Sequence, residues 1–569
     1  MNTPIIPGFY PDPSICRVGD IYYTAHSSFE YAPGVPIFRS TDLLSWTQVG
    51  NALTRETQLP PTTGAANSGI YAPTIRYGQG RFWVVTTNIG EVRRGHLIVS
   101  ADDPAGPWSD AVHISGTLGI DPDLMWDDDG VCRLTWASFD PAIPGIVSAP
   151  FDPERGELLE RPQQLWPGTG ISSPEGPHLY RVGGWWYLLI AEGGTERGHT
   201  VAVARAESLD GPWETPPANP ILTHRSTNHP VQNVGHADLV ERPDGEWVAV
   251  YHGVRVRGIS PHFHVNGRET FLAGVDWVDG WPVIQEDRFE VTPADHSFVD
   301  RFEGAELDHR WVSPGCAPSS FATGTPEGLW LDSAPVLDGG AALVAARTRD
   351  EEWTFRARLS VDGVARVLVR MDSTRWYGLS VTEDAIEATL AIGPAVSTVG
   401  RLARDEAEEI EVRISARPAS GGTFGVPDEP DLIELAATDG AGAEHIFGAF
   451  DGRYLSTEVA GGFTGRVVGV QAVEGRVLVR EAAYRSGREE QDPTADGRRF
   501  DVGTLKLETL LEDPDSRAIL DELLPELTAH PALEHIKNLP LDVVLGAGDA
   551  LPPDVLADLR ARLAALPLR

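Results

Sequence analysis

The sequence contains little cysteine, and this deficit excludes two kinds of stabilised fold. Its 569 residues include three cysteines, Cys16, Cys132 and Cys316, which lie far apart, and no CxxC pair occurs. A disulfide framework or a cysteine-ligated zinc site needs paired or closely spaced thiols. Neither is therefore indicated.

Positive charge is also scarce. The chain has 46 Lys and Arg against 83 Asp and Glu, a formal net charge of −37. Nucleic acids and anionic membranes both attract basic surfaces, so we expect no nucleic acid partner and no membrane partner. A neutral, small substrate is compatible with this charge.

Long apolar runs are missing as well. No stretch approaches the roughly 18 apolar residues that a membrane-spanning helix needs. The first residues, MNTPIIPGFYPDP, have neither the basic start nor the apolar segment of a secretory signal. The simplest expectation is a cytoplasmic protein.

Glycine and proline, in contrast, are abundant. The 59 glycines and 45 prolines exceed ordinary usage, while the hydrophobic fraction of 41% is that of a globular protein. This composition predicts many turns between short strands. The length predicts two to four domains.

Five segments in the first half of the chain resemble one another. Each has a short polar or proline-containing start, an apolar strand, a Gly- or Asp-rich turn and an alternating return strand, which is typical of a β-hairpin. The segments are DPSICRVGDIYYTAHS from residue 12, APTIRYGQGRFWVVTT from 72, DPDLMWDDDGVCRLTW from 121, EGPHLYRVGGWWYLLIAE from 175 and HADLVERPDGEWVAVYHG from 236.

A weaker second echo lies between these segments. FRSTDLLSWTQVG from 38, IVSADDPAGPWSDA from 98 and ARAESLDGPWETP from 204 indicate a second hairpin per unit, hence a four-stranded sheet. Five such sheets predict an all-β, five-bladed β-propeller over residues 1–295. The alternative is a sandwich with coincidental internal similarity.

The equivalent first positions of the five repeats carry Asp12, Ala72, Asp121, Glu175 and His236. In a propeller the first strands line the central axis, so these side chains should converge at one end of it. Clustered carboxylates repel each other and cost stability, which favours a function over a structural role. Two carboxyls with opposite protonation suit glycoside hydrolysis, and a third near the acid raises its pKa. The same residues also suit a calcium site.

Asp12 stands between two prolines in PGFYPDPSI, residues 7–15. Proline fixes its own φ and restricts the residue before it, so the Asp12 backbone has little freedom. An ordinary turn explains this stretch taken alone. The carboxylates at equivalent positions of the other repeats argue for more than a turn.

Several motifs together resemble glycoside hydrolase family 43. They are YPDPSI, GIDPDLMWDDDG, SSPEGPHLYR, NVGHADLV and GRETFL. The resemblance covers residues 4–300 and implies a five-bladed propeller that inverts anomeric configuration without a cofactor in the chemistry. By this resemblance Asp12 is the general base and Glu175 the general acid. Asp121 is then the third acid, which tunes the pKa of Glu175 and orients it.

The resemblance also implies substrate-binding residues. Arg268 of GRETFL would clamp sugar hydroxyls, the alternative being a surface ion pair. Phe29 and Tyr71 would wall the pocket, where relatives often carry Trp at the Tyr71 position, although aromatic residues here also suit a core. Thr195 would line the same pocket.

The resemblance through GHAD also places His236 among the substrate-binding residues, on the propeller axis beside the sugar. Two other interpretations of His236 stay open. A buried structural histidine is the commoner role of such a residue. In the resembled family, a histidine here often sits beside a water-coordinated calcium in the channel, so a structural calcium held by His236 through water is a further expectation.

From about residue 296 the pattern changes. Stretches such as WTFRARLSV (353–361), RVLVRM (366–371) and IEVRISA (410–416) predict a β-sandwich over residues 296–485. DGRYLSTEVAGGFTGRVVGV (451–470) resembles the concanavalin-like C-terminal sandwich of the β-xylosidase branch, which closes the pocket. Phe463 is either the residue presented to the pocket or a core residue at a strand edge.

The remaining residues read as a linker and a helical tail. Residues 486–500 are polar, and residues 501–569 carry apolar side chains at helical spacing, among them Ile519, Leu523 and Leu527. The tail predicts a small α-helical C-terminal module. It either packs on itself or supplies an interface for a homo-oligomer.

These observations predict an inverting, exo-acting β-1,4-xylosidase that releases xylose from the non-reducing end of xylo-oligosaccharides. An α-L-arabinofuranosidase, or an enzyme with both activities, is the alternative within the class. A non-catalytic sugar-binding propeller and a calcium-stabilised scaffold are the alternatives outside it.

Overall fold

The structure is a computed structural model of the chain. It describes residues 3–258, 261–304, 306–333, 342–404, 409–418, 431–438, 442–487, 507–530, 533–537, 541–546, 553–564 and 566.

The N-terminal half consists of antiparallel sheets built from hairpins that follow one another along the chain. The first sheet has the order β1-β2-β4-β5 and the second β6-β7-β8-β9. Their strands, with the short β3 between β2 and β4, are β1 (Ser14–Val18), β2 (Ile21–Ala25), β3 (Tyr31–Ala32), β4 (Gly34–Ser40), β5 (Thr47–Leu53), β6 (Ile70–Gly78), β7 (Arg81–Asn88), β8 (His96–Ala101) and β9 (Val112–Ile114).

Three further sheets follow in the same manner. Their orders are β10-β11-β12-β13 with β14 beside β12, then β15-β16-β17, then β18-β19-β20-β21. The strands are β10 (Gly119–Trp126), β11 (Cys132–Ser138), β12 (Gly145–Asp152), β13 (Glu157–Leu158), β14 (Gln163–Trp166), β15 (Glu175–Val182), β16 (Trp185–Glu192), β17 (Thr200–Ala206), β18 (Val231–Glu241), β19 (Trp247–Arg255), β20 (Glu269–Val278) and β21 (Trp281–Gln285).

The five sheets close into a ring. The first strands β1, β6, β10, β15 and β18 each contact the next, and β18 contacts β1. A separate apolar core fills each interface between neighbouring sheets, including the one between the fifth sheet and the first, where Ile15 and Phe38 meet Val250 and Leu272. The predicted five-bladed β-propeller is therefore confirmed.

The blades are less uniform than the repeat predicts. The fourth sheet has three strands, and single bridges from Val201 to Leu222 and from Arg205 to Glu214 stand where an outer strand would pair. The segment ESLDGPWETPPANP, residues 207–220, holds four prolines. Proline has no N–H to donate to a ladder, which explains the interruption.

A second domain follows the propeller and is a β-sandwich, also as predicted. Its strands are β22 (Phe298–Asp300), β23 (Ser313–Pro314), β24 (Ala322–Thr325), β25 (Gly328–Asp332), β26 (Ala342–Arg347), β27 (Trp353–Asp372), β28 (Arg375–Val381), β29 (Ala385–Ile392), β30 (Ala395–Ala403), β31 (Ile410–Arg417), β32 (Leu432–Thr438), β33 (Glu444–Asp451) and β34 (Val467–Ser486), with a short helix α1 (Thr457–Ala460) before β34.

The two long strands β27 and β34 pair along their whole length and belong to both layers. The first half of β27 pairs with β31 on its other side and the second half with β28. One apolar core, including Trp353, Phe355 and Val367, fills the space between the layers. The two strands predicted at 353–361 and 366–371 are thus one strand.

The sandwich is fixed to the propeller by backbone and apolar contacts. β23 pairs with β3 of the propeller. A cluster of buried side chains from both domains surrounds Phe9 and Tyr31. The segment before β34 also joins the propeller, because Arg466 donates its backbone N–H to the carbonyl of Val265 at 2.9 Å.

The C-terminal part forms short helices, as predicted. They are α2 (Leu507–Glu512), α3 (Pro514–Leu523), α4 (Pro525–Thr528), α5 (Leu533–Ile536), α6 (Leu541–Gly546) and α7 (Pro553–Ala564). Most of the predicted linker 486–500 lies outside the described residues. No helix in the part of the chain described here is long and apolar enough to cross a membrane.

Candidate active site

The candidate site lies where the first strands of the blades begin. In β10, β15 and β18 the pairing register shifts within the first few residues, as it does between Tyr71 and Thr74 in β6. Such bulges bend a strand and redirect side chains, and they are frequent beside active sites. Asp12, Asp121 and His236 all have left-handed φ angles, 53°, 57° and 50°, so the backbone here is strained.

Asp12 is buried and surrounded by groups that stabilise its ionised form. Its Oδ1 accepts a hydrogen bond from the guanidinium of Arg268, and its Oδ2 accepts one from the hydroxyl of Ser27 at 2.5 Å. Its backbone N–H donates to Nδ1 of His252 at 3.2 Å. Nδ1 of His236 lies 3.7 Å from Oδ1. The prolines on either side and these contacts together fix the carboxylate.

The pKa of Asp12 lies well below its usual value. Burial alone would raise this pKa, but the positive charge of Arg268 and the neighbouring histidines outweigh burial. Burial lowers the pKa of His236 to about 3 and that of His252 to about 4, so both rings are neutral at neutral pH. Arg268 is therefore the charge that keeps Asp12 ionised.

Glu175 has the opposite environment. Burial and the negative charge of Asp12 raise its pKa to about 7, against a lowering by Arg268. Its Oε1 is buried and has no hydrogen-bond partner among the described residues. Glu175 therefore holds a proton up to about neutral pH, with one oxygen directed at no protein group.

Asp121 is the third carboxyl of the site. Its Oδ2 accepts a hydrogen bond from the backbone N–H of Gly176 at 3.0 Å. Burial raises the pKa of Asp121 well above its usual value, and the charges of Glu175 and Asp12 add to this. Asp121 and Glu175 therefore keep their protons at pH values where Asp12 is already ionised.

Backbone conformation and space both favour glycine at position 176, directly after Glu175. Gly176 has a φ of +55°, and a Cβ there would lie within 2.9–3.0 Å of the His236 imidazole. The ring of His236 therefore packs directly on the backbone beside Glu175. This contact gives His236 a positioning role in the site.

The carboxyls lie in a pocket of about 250 Å³. All nine residues that the sequence analysis singled out line it, and the list is Asp12, Phe29, Tyr71, Asp121, Glu175, Thr195, His236, Arg268 and Phe463. Ala72, Ile120, Ser173 and Gly194 complete the lining. The pocket is therefore formed by the propeller and, through Phe463, by the sandwich.

Aromatic rings form one wall. Phe463 stacks on Phe29 with ring centroids 5.5 Å apart, and Tyr71 meets both rings edge-on at 5.3 Å and 5.8 Å. The guanidinium of Arg268 lies over Phe29 and Phe463. Flat apolar faces beside a fixed cation and carboxyls suit a sugar ring with its hydroxyls.

A larger cavity of about 450 Å³ lies elsewhere, between the propeller and the sandwich. Of its acidic residues, Asp308 forms an ion pair with Arg310, and Asp295 caps the backbone of Ser297. It lacks the pair of buried carboxyls with divergent pKa values, so the chemistry assigns the smaller pocket as the site.

Sequence reasoning missed several residues that act on Asp12 or on the walls. His252, Ser27 and Asn67 contact Asp12 or Phe463 directly. His252 interrupts the apolar strand WVAVYHGVR, a weak signal for a buried polar role. Ser27 and Asn67 lie in loops and carry no comparable signal.

The implied calcium was tested against the donor atoms present. Asp12, His236 and His252 offer ligand atoms within 4.8 Å of one another. Calcium prefers six to eight oxygen ligands, whereas this set has two imidazoles and one carboxylate that already pairs with Arg268. These residues do not fit a directly coordinated calcium. A calcium that His236 holds through water stays a prediction.

The chain was compared with known families and proteins. Residues 1–282 match Glycosyl hydrolases family 43, and residues 299–483 match the Beta xylosidase C-terminal Concanavalin A-like domain. The second match agrees with the concanavalin-like architecture expected of the sandwich.

Two curated relatives align with this chain over most of their own length. The non-reducing end alpha-L-arabinofuranosidase BoGH43B of Bacteroides ovatus is 34% identical over 497 residues, which is 83% of this chain and 91% of that protein. A beta-xylosidase of Bacillus subtilis is 33% identical over 426 residues, 68% of this chain and 79% of that protein. Among solved structures, the xylan beta-1,4-xylosidase of Bacillus halodurans has a TM-score of 0.76 at 29% identity and covers 85% of this chain and 100% of its own.

Proposed function

Because the chain belongs to glycoside hydrolase family 43, we propose that it is an inverting, exo-acting β-1,4-xylosidase. Its substrate would be a short xylo-oligosaccharide, from whose non-reducing end it releases xylose. The family is an inverting one. The observation that carries the proposal is the contrast between Asp12, which pairs with Arg268, and Glu175, whose buried Oε1 has no hydrogen-bond partner among the described residues of the same pocket.

The proposed reaction uses both carboxyls in a single displacement. Asp12 accepts a proton from a water molecule as the water oxygen bonds to the anomeric carbon. Glu175 donates its proton to the glycosidic oxygen as the bond between that oxygen and the anomeric carbon breaks. The released sugar then has the α configuration, and exchange of protons with solvent restores both groups.

Arg268 and Asp121 support these two groups. Arg268 keeps Asp12 ionised and has further N–H groups with which to bind sugar hydroxyls. Asp121, through its bond to the backbone N–H of Gly176, orients the segment that carries Glu175. The tuning of the Glu175 pKa by Asp121 stays a prediction.

The small size of the pocket supports exo action. Its volume of about 250 Å³ lies below the range of about 300–1,000 Å³ typical of pockets for drug-sized ligands, which favours one sugar ring. Phe463 of the sandwich also lines this pocket, which supports a small substrate over a polymer. Short oligosaccharides are therefore the proposed substrates and a cytoplasmic location the proposed place.

An α-L-arabinofuranosidase is the second candidate. Two observations favour it: BoGH43B is named for this activity, and a relative from Butyrivibrio fibrisolvens, 43% identical over 338 residues (55% of this chain, 64% of that protein), is named xylosidase/arabinosidase. The two terminal sugars present similar hydroxyls, and the same acid and base would act on either.

The deciding experiment compares kcat/KM for 4-nitrophenyl β-D-xylopyranoside and 4-nitrophenyl α-L-arabinofuranoside. A preference for the xyloside supports the proposal, and a preference for the arabinoside replaces it by the second candidate. Turnover of neither substrate would leave the catalytic groups in place but make the proposed substrate wrong, and other pentosides and galactosides would then be screened. NMR of the first sugar released from 4-nitrophenyl β-D-xylopyranoside should show α-xylose, and β-xylose would contradict inversion.

A further inference from the structure

Asn67 forms hydrogen bonds with two residues of the aromatic wall, Phe463 and Tyr71. It lies in the loop between the first and second blades and has a φ of 65°, a conformation that Asn tolerates better than most residues. Its side-chain Oδ1 accepts a hydrogen bond from the backbone N–H of Phe463 at 3.1 Å. Its backbone carbonyl accepts one from the hydroxyl of Tyr71 at 2.8 Å.

The segment that carries Phe463 needs such an anchor. Gly461 and Gly462 precede Phe463, with φ angles of 74° and 109°. Glycine has access to more backbone conformations than any other residue, so this segment has little conformational restraint of its own. A Cβ at Gly462 would lie 2.6 Å from Oδ1 of Asn67. Glycine thus allows the close approach that the hydrogen bond requires, and the bond then limits the freedom that glycine gives.

The position of Phe463 affects the groups that would hold the sugar. Its ring stacks on Phe29 and lies 5.7 Å from the guanidinium carbon of Arg268. Asn67 itself does not line the pocket. It therefore acts on the pocket through Phe463 and Tyr71.

We propose that Asn67 is a positioning residue that holds Phe463 of the sandwich against the propeller and so sets the affinity for the terminal sugar. This inference rests on the proposed function, because it concerns the same pocket. Phe463 contacts the bound sugar as a wall, and a wall touches ground state and transition state alike. Loss of such an interaction raises KM and leaves kcat unchanged.

The variant Asn67→Gly tests this with little backbone strain, since glycine also adopts the left-handed conformation. It removes Oδ1 and leaves the carbonyl that binds Tyr71. We expect KM for the aryl xyloside to rise about fivefold, the equivalent of about 1 kcal/mol, with kcat within about twofold of wild type. Gln79→Gly is the matched control: Gln79 has a φ of 54° and lies exposed in the turn between β6 and β7, so its KM should not change.

A double-mutant cycle with Phe463→Ala shows whether Asn67 acts through Phe463. In the Phe463→Ala background, Asn67→Gly should raise KM no further. An equal fivefold rise in both backgrounds, an unchanged KM in the single variant, or a fall in kcat as large as the rise in KM would overturn the proposal.

Amide hydrogen exchange gives a readout independent of turnover. Peptides covering residues 457–467 should exchange faster in Asn67→Gly than in wild type and in Gln79→Gly. If wild type turns over neither aryl glycoside, the proposed function fails while this exchange test still stands. If wild type is active and exchange is unchanged in Asn67→Gly, the anchor itself is refuted.

Discussion

At the scale of single residues, Asp12 and Glu175 carry the same functional group in opposite states. Asp12 pairs with Arg268 and accepts a hydrogen bond from Ser27. Glu175 has the negative charge of Asp12 as a neighbour, and its Oε1 has no partner in the described part of the chain. Environment, not residue type, separates acid from base here.

The first residue-scale prediction concerns the two roles. Asp12→Asn should lower kcat by about 10²–10⁴-fold on every substrate, because no group then accepts the proton of the water. Glu175→Gln should lower kcat strongly on xylobiose but much less on 4-nitrophenyl xyloside, whose leaving group needs no protonation. Steady-state kinetics on both substrates measures this, and equal losses for Glu175→Gln would contradict its role as the acid.

The second residue-scale prediction concerns the pH dependence of kcat/KM. Glu175 must be protonated and its pKa is about 7, so kcat/KM should fall as pH rises through about 7. Asp12 must be ionised and its pKa is depressed, so the acidic limb should lie below the usual range for Asp. Arg268→Met removes the charge that lowers both pKa values and should move both limbs to higher pH.

Arg268→Lys is the control for this shift. It keeps the positive charge but loses the guanidinium fork, so activity should fall while the limbs stay near those of the wild type. If Arg268→Met left the acidic limb in place, the ion pair would not be what keeps Asp12 ionised.

The sequence located the pocket residues through the repeat and through the family resemblance, but it missed residues that support them. Asp12, Asp121, Glu175 and His236 each head a repeat, so periodicity alone brought them together. Ser27 and Asn67 reach the site through loops whose course depends on tertiary packing, and local sequence carries no signal for that.

At the scale of elements, the five innermost strands share a second polar centre below the carboxyls. Arg76 of β6 donates to Asp238 of β18 and to Asp123 of β10, each at 2.7 Å. It also lies 3.0 Å from Ser14 Oγ of β1 and 3.0 Å from His178 Nδ1 of β15. One guanidinium therefore links all five blades.

We predict that Arg76→Met destabilises the propeller strongly. It removes the guanidinium that pairs with the buried Asp123 and Asp238 and leaves only the His178 ring near them, a loss of about 3–5 kcal/mol for one broken buried pair. Calorimetry should show a lower unfolding temperature. Arg242→Met, which breaks a more exposed pair with Glu246 at 2.7 Å, is the control and should change stability by less than about 0.5 kcal/mol. Equal effects of the two variants would contradict a central role of Arg76.

Two strands of the structure differ from those that the sequence patterns predicted. The alternation of apolar and polar residues predicted both halves of β27 but not that they form one strand. The strand passes from one layer to the other at Gly363, next to a register shift between Val364 and Ala365. In the fourth blade, prolines at 212, 216, 217 and 220 broke the outer strand that the repeat implied.

At the scale of the whole molecule, the helical tail stands apart. Its apolar core, which includes Leu510, Leu520, Leu559 and Leu563, contains no residue of the propeller or the sandwich. Among the described residues this is a self-packed unit. We therefore expect it to contribute little to the pocket.

Truncation after Gly487 tests this. The shortened chain should keep kcat and KM on the aryl xyloside within about twofold of the full chain, since no described tail residue lines the pocket. Light scattering on both forms decides whether the tail supports a homo-oligomer, as its apolar stripes allow. A large rise in KM on truncation would show that the tail does reach the site.

The contribution of Phe463 to the pocket also has a consequence in time. Asp12, Glu175 and Arg268 leave the ribosome with the propeller. Phe463, the part of the aromatic wall that the sandwich supplies, follows 195 residues after Arg268. At about 5–20 residues per second this is a delay of about 10–40 s. During synthesis, each molecule therefore passes through a period in which acid and base are present but the pocket is still open on one side.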